Sequence, residues 1–183
     1  TTLTHDQSFT VNDEISPMVT ISGPADYNTD LAADCTVDTA PGAAGEATAS
    51  ATDNCDSDVS ITIEFADSAL EYTCSDADGS AEGSYTFERT WTATATDDCG
   101  NASSDQYVQT IVVNDITAPW LSAEAPAAQL VQLDADCSTD LTTETLGYAT
   151  HTTSDACDSD VTVETSFSDS APEYTCGGDD DAV

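Results

Sequence analysis

Three cysteines, Cys35, Cys55 and Cys74, return as Cys137, Cys157 and Cys176, each pair 102 residues apart. The register does not slip, and the flanking sequence returns with the cysteines. Residues 53–59 (DNCDSDV) reappear as 155–161 (DACDSDV), 67–74 (DSALEYTC) as 169–176 (DSAPEYTC), and 11–17 (VNDEISP) as 113–119 (VNDITAP). Matches in one fixed register mark a tandem duplication, which restricts the chain to an architecture that can be built twice.

A period near 100 residues is too long for a solenoid repeat and suits a seven-strand sandwich of short strands divided by turn residues. The segment Ser60, Ile61, Thr62, Ile63, Glu64, Phe65 alternates polar and apolar side chains, as do Tyr85 to Glu88 and, in part, Gln109 to Val113. Alternation of period two places one face of each segment inward, with Phe87 and Trp91 as core candidates. The expected class is all-β, as tandem immunoglobulin-like β-sandwiches of which the second is incomplete. The expected organisation is a strand and linker over 1–13, a complete unit over 14–115 and an incomplete one over 116–183.

Charge narrows the partners. Thirty-six Asp and Glu face one basic side chain, Arg89, for a net charge of −35. Such a chain repels nucleic acid and anionic membranes, and no apolar run is long enough for membrane insertion. Self-repulsion also opposes compaction unless cations or salt offset it, which makes calcium the expected cofactor. Arg89 is expected to pair locally with one of the many acids. The seven cysteines contain no CxxC spacing, and in a Lys-free, Thr- and Ser-rich sequence they indicate a disulfide framework and an extracellular or cell-surface location.

The motifs at residues 52–55 (TDNC), 89–94 (RTWTAT) and 98–101 (DCGN), with the linkers 11–17 and 113–119, resemble hyalin-repeat-like immunoglobulin-type modules that occur in tandem in secreted and surface proteins. The resemblance covers essentially the whole chain and implies fold and surface location, without a particular ligand. The additional Ala95 and Thr96 before Asp97 depart from the usual pattern.

Four cysteines in one unit allow three connectivities. The arrangement adopted joins Cys35 to Cys74, Cys55 to Cys99 and Cys137 to Cys176, leaving Cys157 unpaired. The acidic linker at 11–17 looks like the calcium-holding linkers of cadherin-type repeats. The loops 52–58 and 96–101 should lie where that linker enters, so that Asp13, Glu14, Asp53, Asp56, Asp97 and Asp98 supply hard oxygen ligands. The same residues also suit turn capping. Asn101 begins the one glycosylation sequon, Asn101-Ala102-Ser103. Catalysis is not expected: His5 and His151 are the only histidines, and no basic residue lies near Cys157 in sequence to activate its thiol.

Residues 1–13 align with the last strand of the first unit, Ile111 falling on Phe9 and Val113 on Val11. Leu3, His5, Gln7, Phe9 and Val11 share one face of that strand. The second unit reaches only the counterpart of Ala81. The expectation is a structural filament subunit whose residues 1–13 complete the open second unit of a neighbouring copy, as a donated strand. The alternatives are a fragment of a calcium-rigidified tandem stalk or adhesin, and a glycan-binding module using exposed aromatics such as Trp120.

Overall fold

The structure is a computed structural model that describes residues 2–73, 82–136, 138–168 and 170. Strands hold 37% of the described residues and helix 5%, so the all-β expectation holds. The first repeat contains β1 (Met18–Ser22), β2 (Tyr27–Asp30), a single helical turn α1 (Pro41–Ala44), β3 (Thr48–Thr52), β4 (Ser60–Asp67), β5 (Glu71–Tyr72), β6 (Tyr85–Thr96) and β7 (Ala102–Asn114). The second contributes β8 (Trp120–Glu124), α2 (Thr143–Leu146) and β9 (Thr150–Ser154).

The long antiparallel pair β6–β7 organises the first repeat, in register from Tyr85 opposite Val113 to Thr96 opposite Ala102. In β6, Phe87, Arg89, Trp91, Ala93 and Ala95 are buried while the threonines between them are partly exposed, the alternation that the sequence shows. In β7 the inward residues are Gln109, Ile111 and Val113, each fully buried. Burying Ile111 and Val113 contributes about 1.5–3 kcal/mol each. Other strands attach to this pair: β4 and β5 antiparallel along β6, and β2 parallel along β7, with Tyr27 opposite Ile111 and Asp30 opposite Asn114. A separate antiparallel pair, β1–β3, packs with β1 against β6 and β7. At the turn after β1, Gly23 lies against the Tyr107 ring so closely that any Cβ would collide with it.

Two polar groups are built into this core. The Gln109 side chain donates to the carbonyls of Ala25 (2.9 Å) and Ala44 (2.8 Å) and accepts from the Trp91 indole N–H at 3.3 Å. Each of its hydrogen-bonding atoms is thereby engaged, as burial demands. Arg89 donates through Nε and Nη2 to the two Asp67 carboxylate oxygens (2.7 and 2.8 Å) and through Nη1 to the Thr39 carbonyl at 2.8 Å. Its guanidinium also lies 4.6 Å from the Phe65 ring centroid.

The duplication is visible in the fold. β8, α2 and β9 stand 102 residues after β1, α1 and β3, and the β8–β9 register, Trp120 opposite Ser154, repeats Met18 opposite Thr52. Gly45 and Gly147 close the two helical turns at φ 95° and 94°, where a Cβ would be strained. The counterparts of β2 and β4, residues 129–132 and 162–168, form no strand. Those segments are the ones that lean on β7 and β6 in the first repeat. Leu31, after β2, is 7% exposed, whereas its counterpart Leu133 is 53% exposed and Leu130 is 85% exposed.

Because Arg89 is buried and bound on three sides, Arg89→Ala is expected to destabilise the chain by about 1.5–3 kcal/mol through lost hydrogen bonds and packing, the Asp67 carboxylate, 35% exposed, returning to water. Urea denaturation followed by tryptophan fluorescence measures this loss, and a change under 1 kcal/mol would show that the pair is not structural.

Candidate functional site

The two ends of the first repeat carry the same arrangement of acids and cysteine, one at its start and one where it meets the second repeat. At the start, the linker residue Asp13 meets the loop after β3 and the loop between β6 and β7. The carboxylates of Asp13, Asp53 and Asp97 offer ligand oxygens within 4.8 Å of one another. Local hydrogen bonds fix each of them. Asp13 Oδ1 accepts from Ile15 N (3.1 Å), and Asp53 Oδ1 accepts from Cys55 N (2.8 Å) and Asp56 N (3.0 Å), the Asx turns that the sequence suggests. Asn101 clasps the cluster, its Nδ2 donating to Asp97 Oδ2 at 2.8 Å and to the Asp13 carbonyl at 3.1 Å.

Of the six expected ligands, these three converge. Asp56 is spent on the loops themselves, accepting from Asp58 N through Oδ1 and from Asp98 N through Oδ2, each at 2.8 Å. Glu14 and Asp98 are exposed and outside the cluster. One atom has no hydrogen-bond partner: Asp53 Oδ2 is buried beside the other two carboxylates. Three convergent carboxylates, one with an orphaned buried oxygen, offer the hard oxygen ligands that a divalent cation takes, alongside the turn capping they already perform.

Asp97 is 6% exposed, and hydrogen bonds from Asn101, first from its side chain and then from its backbone, hold its carboxyl below the usual range. Desolvation pushes the Cys55 thiol up, and the carboxylates of Asp13 and Asp53 push it further. Asn101, the glycan acceptor that the sequon suggests, has its amide nitrogen engaged twice in this clasp.

At the junction of the repeats, Asp115 and Asp155 repeat Asp13 and Asp53, and Cys157 repeats Cys55. Asp115 Oδ1 accepts from Thr117 N (2.9 Å), Asp155 Oδ1 accepts from Cys157 N (2.8 Å), and Asp155 Oδ2 is again buried without a partner. Here the cysteine is bonded: Cys157 forms a disulfide with Cys35, their Cα atoms 5.2 Å apart. The loop carrying Cys157 docks against the end of the first repeat, where both Ser159 N (2.7 Å) and Ser159 Oγ (3.1 Å) donate to the Glu82 carboxylate. Cys157 is 4% exposed and packs in one cluster with Leu31, Phe87, Ile111 and Val113.

This bridge corrects the cysteine assignment. Cys35 bonds Cys157 rather than Cys74, and Cys157 is not the odd thiol. The expected pairing kept each bridge inside one repeat, whereas docking of the 155–159 loop carries Cys157 across to the turn after β2. Cys55 and Cys99, expected to be joined, are both free and exposed. The assignment of Cys137 to Cys176 falls outside the described residues, as does Cys74. Glu82 and Ser159 were not singled out from sequence; the repeated position of Cys157 was the available signal.

Residues 2–12 form no strand within the chain and are exposed throughout, Leu3 at 98%, Phe9 at 79% and Val11 at 95%, with His5 and Gln7 also exposed. Trp120, the aromatic considered for sugar stacking, lies on β8 and is 59% exposed. Among the described residues no helix is long and apolar enough to cross a membrane. Comparison with known protein families, with curated proteins and with solved structures found no match to this chain.

The Asp97–Asn101 contact sets a pH dependence. A carboxyl held below its ordinary value of about 3.9 adds stability above that pH, and the stability is lost as pH falls through the lower folded value. In chelator, Asn101→Ala is expected to lower the melting temperature at neutral pH, with the gap to wild type closing in acid. Thermal melts from pH 7 down to 2 measure it, and a gap that stays constant would refute the assignment.

Proposed function

We propose that this chain is a structural, non-catalytic subunit of an extracellular filament. Its repeats are read as immunoglobulin-like sandwiches resembling hyalin repeats. Residues 2–12 of one copy complete the second repeat of the next.

One observation carries this reading. In the first repeat β2 is a strand alongside the end of β7, and Leu31 N continues the pairing by donating to the Asn114 carbonyl at 2.8 Å. The counterpart of that stretch of β7, 102 residues earlier, is residues 9–12, exposed and unpaired. The counterpart of β2, residues 129–132, has no strand beside it among the described residues.

Transposed by 102, the register sets Phe9 opposite Gln129, Val11 opposite Val131 and Asn12 opposite Gln132. Gln7 falls on the position of Gln109, facing the carbonyls of Ala127 and Leu146. In the isolated chain Gln129 Nε2 donates to that Leu146 carbonyl at 2.9 Å, occupying the place kept for the donor. Burial of Phe9 and Val11 would contribute about 1.5–3 kcal/mol each. Donor and acceptor are different surfaces, so repetition produces an open filament unless the rotation between copies closes a ring.

A tandem stalk is favoured by a different observation. Residues 162–168, the counterpart of β4, need a counterpart of β6, which residues 2–12 do not supply; Phe167 there is 72% exposed. The two readings share the strand pairing and differ in whether separate chains polymerise. Negative-stain microscopy and light scattering decide between them. Filaments are expected from the full chain and are expected to disappear in Phe9→Asp/Val11→Asp; filaments that persist in that variant would refute strand donation.

Calcium is the proposed cofactor. Asp13, Asp53 and Asp97 would hold it at the point where the donated strand passes into the first repeat, stiffening that passage and neutralising part of the acidic surface. Adding calcium to chelated protein is expected to raise the melting temperature, and Asp53→Asn is expected to remove most of the rise. A wild-type melting temperature indifferent to calcium would refute the site.

A further inference from the structure

We propose that Cys55 forms a disulfide with Cys137 of the neighbouring copy that receives residues 2–12, so that each strand-donation joint is also a covalent cross-link. The inference rests on the strand-donation reading and extends it from pairing to bond formation.

The joint between the two repeats supplies the pattern. There the end of β7 pairs with β2, Asp115 follows β7, Asp155 and Cys157 stand beside Asp115, and Cys157 is bonded to Cys35 beyond β2. Half of the same arrangement already exists at the front of the chain. Residues 9–12 correspond to the end of β7, Asp13 to Asp115, Asp53 to Asp155 and Cys55 to Cys157. Asp13 faces the Cys55 thiol, as Asp115 faces the Cys157 sulfur. Only the sulfur differs in state, for Cys157 is bonded and buried while Cys55 is free and exposed.

The counterpart of Cys35 is Cys137. The residues on either side of it repeat the first-repeat turn: Asp134 N donates to the Ser138 carbonyl at 2.8 Å, as Ala32 N does to that of Thr36 at 2.9 Å. When residues 9–12 lie along 129–132 of a neighbour, the transposed joint sets Cys55 against the neighbour's Cys137.

The bond forms by two exchanges with a small-molecule disulfide such as oxidised glutathione. The Cys55 thiolate attacks one sulfur and releases one small thiol, giving a mixed disulfide. The neighbour's Cys137 thiolate then attacks the Cys55 sulfur and releases the second. The two protein thiols are oxidised, one small disulfide is reduced, and the protons pass to the departing thiols.

The test assembles the full chain in a mixture of reduced and oxidised glutathione, images it, and maps it by mass spectrometry after unreduced digestion at acidic residues. The expected result is filaments, a peptide joining Cys55 to Cys137, and a ladder of covalent multimers on a non-reducing gel that collapses to monomer in reductant. Cys55→Ser is expected to keep the filaments and lose the ladder, as is Cys137→Ser. Filaments whose Cys55 is free or linked to Cys99, or a ladder that survives in Cys55→Ser, would overturn the cross-link and leave strand donation standing. Absence of filaments from the wild-type chain would overturn strand donation, and the cross-link with it.

Discussion

The antiparallel pairing of β6 with β7 is the interaction on which the rest of the structure depends. It is the longest register among the described residues, and the buried faces of its two strands carry most of the core of the first repeat. β4 and β5 exist as strands because β6 offers them an edge, β2 because β7 does, and β1 packs across both. The second repeat is a natural control. Its β8–β9 pair and helical turn form, while residues 129–132 and 162–168, the counterparts of the strands that lean on β7 and β6, form no strand, and Leu130 and Phe167 within them are exposed. Strand propensity in this sequence is thus conditional, and a partner edge turns it into structure.

Much of this is legible in the sequence. The 102-residue register anticipates the equivalence of β1, α1 and β3 with β8, α2 and β9, because backbone geometry follows turn residues such as Gly45 and Gly147 that recur with the repeat. Alternation in β6 identifies Phe87 and Trp91 as core residues, and a lone Arg89 among 36 acids was bound to find a carboxylate. The convergence of Asp13 with the loops at 52–58 and 96–101 was readable because a linker must meet the loops at the end it enters.

Other features were hidden for physical reasons. Asp56 and Asp98 resemble ligands in sequence, but the Asp56 carboxylate is satisfied by backbone N–H groups, a choice set by loop geometry that composition does not encode. The bridge between Cys35 and Cys157 spans 122 residues and depends on how one repeat seats against the next, with Glu82 gripping Ser159. Sequence periodicity describes each repeat from within and is silent about the seam. The alternation in residues 2–12 was likewise visible, yet alternation specifies a face and not a pairing partner, and these residues form no strand in the chain.

Burial of Arg89 has a consequence for how such molecules meet. With the one guanidinium withdrawn into the core, the outward face carries no fixed positive side-chain charge at neutral pH. Flank-to-flank approach of two copies is then repulsive in every orientation, over a range set by a Debye length of about 8 Å at physiological ionic strength. Only the tips, where apolar residues and clustered carboxylates are matched by a counterpart surface or a metal ion, can overcome that repulsion. The charge pattern therefore opposes side-by-side association while leaving end-on contact open, and high salt, by shortening the repulsion, would be the condition under which copies gather flank to flank.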